Sequence, residues 1–129
     1  MNNSQNFSGL WHNKYGSLLE LEVNSNDQVS GRFKTAVGRD ETKSLWQDQW
    51  FNVLGFVNGE LISLVVNYAP ASQAISTING ILSRDENNAY LIETLSYTRF
   101  NLSTDQKWRE VVAAALTYKP GPAPESTQK

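Results

Sequence analysis

Leu18-Leu19-Glu20-Leu21-Glu22-Val23-Asn24-Ser25-Asn26-Asp27-Gln28-Val29-Ser30-Gly31-Arg32-Phe33-Lys34-Thr35-Ala36-Val37 is the stretch whose reading decides the fold. Leu19, Leu21 and Val23 alternate with Leu18, Glu20 and Glu22, so one face is apolar and the other largely charged. Successive side chains of a strand point to opposite faces, and this two-residue period is the mark of a half-buried strand. Asn24 to Asp27 are four short polar residues of the kind that close turns through their own side chains. After them the alternation resumes. Val29, Gly31, Phe33, Thr35 and Val37 share one face, and Arg32 and Lys34 share the other with the small Ser30 and Ala36. Such inward–outward alternation is what a closed barrel requires of each strand.

The same pattern continues outward from this hairpin. Leu45–Leu54, Glu60–Tyr68, Gln73–Leu82 and Ala89–Thr98 read as strands, with turns at Asn58-Gly59 and Arg84–Asn88. Short strands at regular spacing point to an all-β sandwich or barrel. Ser103–Leu116 departs from the pattern, with a capping residue, helix formers and three consecutive alanines that suggest a helix. The chain from Pro120 to Lys129 is rich in proline and polar residues and reads as a disordered tail after a single domain over 1–119.

Composition excludes several function classes. Lys and Arg number 11 against 13 Asp and Glu, a net charge of −2, which offers no electrostatic basis for binding nucleic acid or an anionic membrane. No apolar run approaches the ~20 residues that span a bilayer. Met1 to Phe7 is polar and lacks the layout of a signal peptide. The chain is therefore expected to be cytoplasmic if this is its full length, and secreted if a signal has been removed. It has no cysteine, hence no disulfide, thiolate metal site or thiol nucleophile, and His12 is its single histidine. Histidine-cluster metal sites and a Ser-His-Asp triad lose their basis, and no metal, cofactor or catalytic residue is expected.

Phe7-Ser8-Gly9-Leu10-Trp11-His12-Asn13-Lys14-Tyr15-Gly16-Ser17 resembles the first strand and turn of the avidin–streptavidin family, with its pattern G-x-W-x-N-x-x-G-S. Gly31-Arg32-Phe33-Lys34-Thr35-Ala36-Val37 is similar to that family's second motif, G-x-Y-x-[S/T]-A-V, and Val65-Val66-Asn67-Tyr68 to its T-V-N-W segment. Weaker matches lie at Ser76–Gly80 and Lys107–Glu110. The resemblance implies an eight-stranded antiparallel up-and-down β-barrel that holds one small ligand. It also implies that Ser103–Leu116 divides into a helical turn at Ser103–Lys107 and a strand from about Arg109 to Tyr118.

Carried over residue by residue, the resemblance gives a ligand site. Asn13 and Ser17 match polar positions around the ureido carbonyl of biotin, Thr35 a hydroxyl that accepts from a ureido N–H, and Ser76 a hydroxyl nearer the tail, with Ala74 on the same face. Trp108 matches the tryptophan that one subunit inserts over its neighbour's pocket, implying self-association to a dimer or tetramer. Five positions depart from the pattern. Phe33 replaces a tyrosine and Tyr68 a tryptophan, Ile78 and Leu95 occupy aromatic positions, and Leu116 (or Ala115, on a different count) stands where an acceptor is expected. The site residues are thus Asn13, Ser17, Phe33, Thr35, Tyr68, Ser76, Ile78, Leu95, Trp108 and Leu116, and the function implied is non-catalytic binding in a remodelled biotin-type pocket.

Each of these residues also has a plainer role. Asn13 and Ser17 suit an ordinary hairpin turn, Thr35 a β-branched strand position, Trp11 the barrel floor, and Trp108 a cap on its own barrel. Trp46 and Trp50 suit either core or interface, and His12 alternates outward. Glu93 lies inward if Leu95 does, as a carboxylate in an apolar barrel; a one-residue slip instead turns Ile92 and Thr94 inward. An inward Glu93 is what a repurposed barrel acting as a cyclase or isomerase needs, while a lectin-like module would read sugars with Asn13, Ser17 and Tyr68.

Overall fold

A computed structural model of the chain describes residues 3–35, 49–101 and 111–124. A short 3₁₀ turn, Asn3–Phe7, leads into eight strands: β1 (Gly9–His12), β2 (Leu18–Val23), β3 (Gln28–Lys34), β4 (Phe51–Asn58), β5 (Leu61–Asn67), β6 (Ala74–Arg84), β7 (Tyr90–Phe100) and β8 (Val111–Pro120). Each pairs antiparallel with the next, and β1 pairs with β8 through Trp11↔Pro120 and His12↔Lys119, closing the sheet into a barrel. Closure brings the two outer strands of the sheet together over these two pairs.

The alternation read in β2 and β3 is observed. Leu19, Leu21, Val23, Val29 and Phe33 are buried, and Ser30 and Arg32 are exposed. Inward residues of the other strands, among them Val53, Val57, Ile62, Leu64, Val66 and Ile92, complete one core. Burying a side chain of this size stabilises by about 1.5–3 kcal/mol. Trp11 belongs to this core, its indole N–H donating to the Phe7 carbonyl at 2.9 Å.

Turn chemistry sets the register. Asn24 Oδ1 accepts from the backbone N–H of Asn26 and Gln28, at 2.8 and 3.0 Å, and Asp85 Oδ1 does the same for Asn87 and Ala89 at 2.8 and 2.9 Å. Gly59 turns the β4–β5 hairpin at φ 62°, a conformation that costs glycine little.

Gly31 is required for a different reason. A β-carbon there would stand 2.0 Å from the Glu20 carbonyl oxygen of β2, and backbone cannot yield as a side chain can. Gly31→Ala is expected to destabilise the barrel by roughly 2–4 kcal/mol, the range of severe core mutations. An unchanged urea midpoint would show that the β2–β3 approach is looser than described.

Some strand boundaries differ from the sequence reading. The expected start at Leu45 lies outside the described residues; β4 runs on to Asn58, past the expected end at Leu54, and β8 runs through Pro120, one residue into the expected tail. Gly121 then donates its N–H to the Leu10 carbonyl at 2.7 Å, and His12 Nδ1 meets the Gly121 carbonyl at 3.0 Å. The expected helical turn at Ser103–Lys107 lies outside the described residues.

Candidate functional site

Asn13 and Ser17 flank the turn between β1 and β2, and both are buried. Gly16, at φ 89°, lets the chain reverse there, and the backbone N–H of Asn13 donates to the Ser17 carbonyl at 3.2 Å. Asn13 Oδ1 accepts from the N–H of Tyr15 and of Ser17, at 3.0 and 3.2 Å. The two roles weighed for Asn13 therefore separate by atom. Its oxygen builds the turn, which leaves its NH₂ for other partners.

Across the barrel, Tyr68 follows β5 with its ring among aromatic neighbours. Phe51 lies edge-on at 5.1 Å and Phe33 at 6.5 Å between ring centroids. Its hydroxyl is 2.8 Å from Ser76 Oγ, which is in turn 2.5 Å from Thr98 Oγ1. Ser76 and Thr98 are directly opposed on β6 and β7, so the sheet register itself sets the two hydroxyls together. The result is a chain of three hydroxyls on a wall that is otherwise mostly apolar.

Tyr118, on β8, is a further buried hydroxyl. It lies beside the Asn13 side chain and close enough to Tyr68 for the two phenols to oppose each other's ionisation. Burial pushes the Tyr118 phenol from its ordinary 10.0 up to about 12, against the smaller opposing effect of Asn13. Burial raises the Tyr68 phenol as well, with Ser76 opposing.

These shifts have a sign in stability. Both phenols hold their protons more tightly in the folded state, so their contribution is complete below pH 10 and is lost as pH rises toward 12. For Tyr118 alone the loss across that window is about 3 kcal/mol. The denaturation midpoint is expected to fall steeply between pH 10 and 12. A flat profile there would mean that these hydroxyls meet water.

The expected site residues divide into groups. Asn13, Ser17, Phe33, Tyr68 and Ser76 are all buried; Tyr68 meets Phe33 and Ser76 on one side, and Asn13 lies beside Tyr118 on the other. Ile78 is buried core beside them, Thr35 is half-buried just past β3, and Leu116 is half-buried against the core. Trp108 and Trp46 lie outside the described residues. Trp50 does not enter the core; the Arg32 guanidinium stacks on its ring at 4.1 Å.

Leu95 is a correction. It points out of the barrel and is 68% exposed, and Glu93 is exposed with it. Ile92 and Thr94 are the inward residues, so the strand sits one residue from the register that put Leu95 inside. Thr94 tolerates burial because its hydroxyl donates to the Leu116 carbonyl at 2.9 Å. The inward position following it belongs to Ser96, which has no ring.

Tyr118 and Thr98 are the members of this cluster that the sequence reading missed. The signal for Tyr118 was present: alternation from Leu116 puts Tyr118 on the same face. Thr98 follows only once Thr94, not Leu95, is known to face inward.

A crevice of about 620 Å³ also opens between the β1–β2 turn and β8. Asn13 and Leu116 line it together with His12, Tyr15 and the returning chain at Ala123 and Pro124, whereas Ser17, Tyr68 and Ser76 do not.

The same architecture is found in solved structures. The crystal structure of xenavidin is 22% identical with a TM-score of 0.74, covering 89% of this chain and 96% of that one. A biotin-binding protein from chicken is 15% identical with a TM-score of 0.76, covering 93% and 99%. The rhizavidin–biotin complex is 21% identical with a TM-score of 0.73, covering 92% and 95%. At these identities the likeness is one of fold. No curated protein sequence matches the chain. The sequence does match the family model of the avidins over residues 1–119, which takes in the barrel except for Pro120, the last residue of β8, and the chain accordingly belongs to the avidin family.

Proposed function

We propose that this chain is a non-catalytic small-molecule binding protein whose chamber is a remodelled biotin-type pocket. The observation that carries the reading is the set of inward polar side chains, Asn13 and Tyr118 on one side and the hydrogen-bonded Tyr68, Ser76 and half-buried Thr98 on the other, within an apolar barrel. A few convergent hydrogen-bonding groups on an apolar wall are what a small-ligand site needs to fix orientation. Similarity of fold to a chicken biotin-binding protein and to rhizavidin in complex with biotin supports the same class of ligand. The remodelling lies at Phe33, Ile78 and Leu116, which supply neither donor nor acceptor. Glu93, the one residue weighed as a catalytic acid, faces outward with its carboxylate 3.4 Å from Ser83 Oγ, so nothing favours the cyclase or isomerase reading.

The same reading has the protein self-associating through a second copy of this chain. The outer face of β4 to β8 carries two registered rows without a charge: Leu54, Val65, Thr77, Tyr97 and Ala113, then Phe56, Ser63, Asn79, Leu95 and Ala115. Five strands ~4.8 Å apart make this face roughly 20 Å wide, and exposed apolar patches of such extent usually mark an interaction site. An uncharged face meets its own copy without repulsion. Trp108, proposed as a lid over the neighbouring pocket, would add to that contact.

Native mass spectrometry of protein purified without added ligand tests the binding function, with biotin calorimetry beside it. A co-purified small neutral molecule, or saturable biotin binding at one per chain, is the expected result. Finding neither would overturn it.

A further inference from the structure

We propose that the chain beyond Pro124 docks along the open edge of β8 as a strap, pairing with the backbone of Thr117, Ala115 and Ala113 and closing the seam between β8 and the β1–β2 turn.

The seam follows from unequal strand lengths. β7 pairs with β8 from Val111 to Tyr118, but β1 ends at His12 and meets β8 only at Lys119 and Pro120. Along a strand, successive N–H groups point to alternate sides. The Gly121 N–H donates to the Leu10 carbonyl, so the N–H groups of Lys119, Thr117, Ala115 and Ala113 point toward the β1 side. The Leu116 carbonyl agrees with this, since it faces β7 and accepts from Thr94 Oγ1. Among the described residues no strand lies opposite Thr117, Ala115 and Ala113 on that side. Val111 to Tyr118 also carries no charge and no proline, two devices that keep a free edge from pairing with other chains. Such an edge calls for a cover.

The described chain is already turned toward this edge. It bends at Gly121, at φ 96°, where the contact of His12 Nδ1 with the Gly121 carbonyl at 3.0 Å holds it, and Ala123 and Pro124 then line the crevice together with Ala115 and Thr117. The β1–β2 turn forms the other wall of the crevice. A cleft bounded on both sides suits one extended strand, whereas the wall of a second barrel would bring its neighbouring strands with it. Charge agrees. Lys14 and Lys119 line the crevice with no carboxylate among its described lining residues, and the residue that follows Pro124 is Glu125. Length agrees as well, since the five residues from Glu125 to Lys129 reach roughly 17 Å when extended, against about 14 Å from Thr117 to Ala113. Added strands of this kind draw their affinity from main-chain hydrogen bonds, which the three free edge positions supply. Asn13 and Leu116 line the same crevice, so the strap shields that side of the barrel wall from solvent.

Amide hydrogen exchange read residue by residue, on the full chain and on a variant ending at Pro124, tests the strap, with Glu125→Lys as a second variant. The amides of Ala113, Ala115 and Thr117 are expected to be protected in the full chain and to exchange at least ~10-fold faster in the shortened one, as local opening replaces a hydrogen-bonded edge. The amides of Ala114 and Leu116, on the β7 side, are expected to stay unchanged and so report that β8 is intact. Glu125→Lys sets a like charge beside Lys14 and Lys119 and is expected to speed the same three edge amides by a smaller factor. Edge amides that exchange freely in the full chain would overturn the proposal, as would protection that survives the deletion. Protection that grows with protein concentration would also overturn it and would assign the edge to a second copy of the chain. The bond from Gly121 to Leu10 lies before the cut, so the shortened chain keeps the closure of β1 on β8. Where it nonetheless does not fold, Glu125→Lys decides, and unchanged edge amides in that variant would overturn the strap.

Discussion

Biotin is expected to bind this protein at least ~10⁴-fold more weakly than it binds the tightest of its known carriers, which lie at the limit of non-covalent affinity. Phe33 is buried among the expected contacts yet has no hydroxyl, and Leu116 offers a hydrocarbon where the resemblance calls for an acceptor. Ile78 is buried without a ring, and the inward position beyond Thr94 is a serine rather than an aromatic. A lost hydrogen bond in a buried site costs roughly 1–3 kcal/mol, and more where the lost group was charged. Two such losses, with thinner aromatic packing, remove ~5 kcal/mol or more, and each 1.4 kcal/mol is tenfold. Calorimetry returning a sub-nanomolar constant would show that the remodelled wall still fits biotin.

Leu95→Glu is expected to break the assembly of this protein into smaller species without unfolding the barrel. Leu95 is more than half exposed within an uncharged row, between Asn79 and Ala115. Its side chain makes no contribution to the core, so the change is cheap in the isolated barrel. In an interface, the same change buries a carboxylate without a partner, against a loss typical of a hot spot, ~2 kcal/mol or more. Subunit affinity is expected to fall at least ~30-fold by that conversion. Sedimentation velocity reads the assembly and circular dichroism the fold. Trp108→Ala, in the same experiment, is expected to shift the protein toward smaller species and also to weaken ligand binding, which Leu95→Glu does not do directly. A wild type that is already monomeric would overturn both variants' rationale. An intact assembly in Leu95→Glu would place the contact elsewhere.

Strands β2 and β3 could be read from the sequence because their two faces differ in chemistry. Glu20, Glu22, Arg32 and Lys34 can only face water, which fixes Leu19, Leu21, Val29 and Phe33 inside. The turns were equally legible, since Asn24, Gly59 and Asp85 are residues whose own side chain, or lack of one, makes the reversal. The first motif puts Asn13 and Ser17 at a turn, and both are buried there. Strand β7 was different. Ile92 and Thr94 alternate with Leu91, Glu93, Leu95 and Tyr97, so apolar residues stand on both faces and a two-residue period cannot choose between them. Only pairing with β6 and β8 decides, through Ser76↔Thr98 and the bond from Thr94 to the Leu116 carbonyl. The same holds for the site. The sequence supplied the hydroxyls of Tyr68, Ser76, Thr98 and Tyr118, but their meeting depends on closure of the barrel. Tyr118 comes opposite Asn13 only because β8 pairs with β1, more than a hundred positions away in the chain, and no local pattern records which atom of Asn13 remains free once the turn has taken its oxygen.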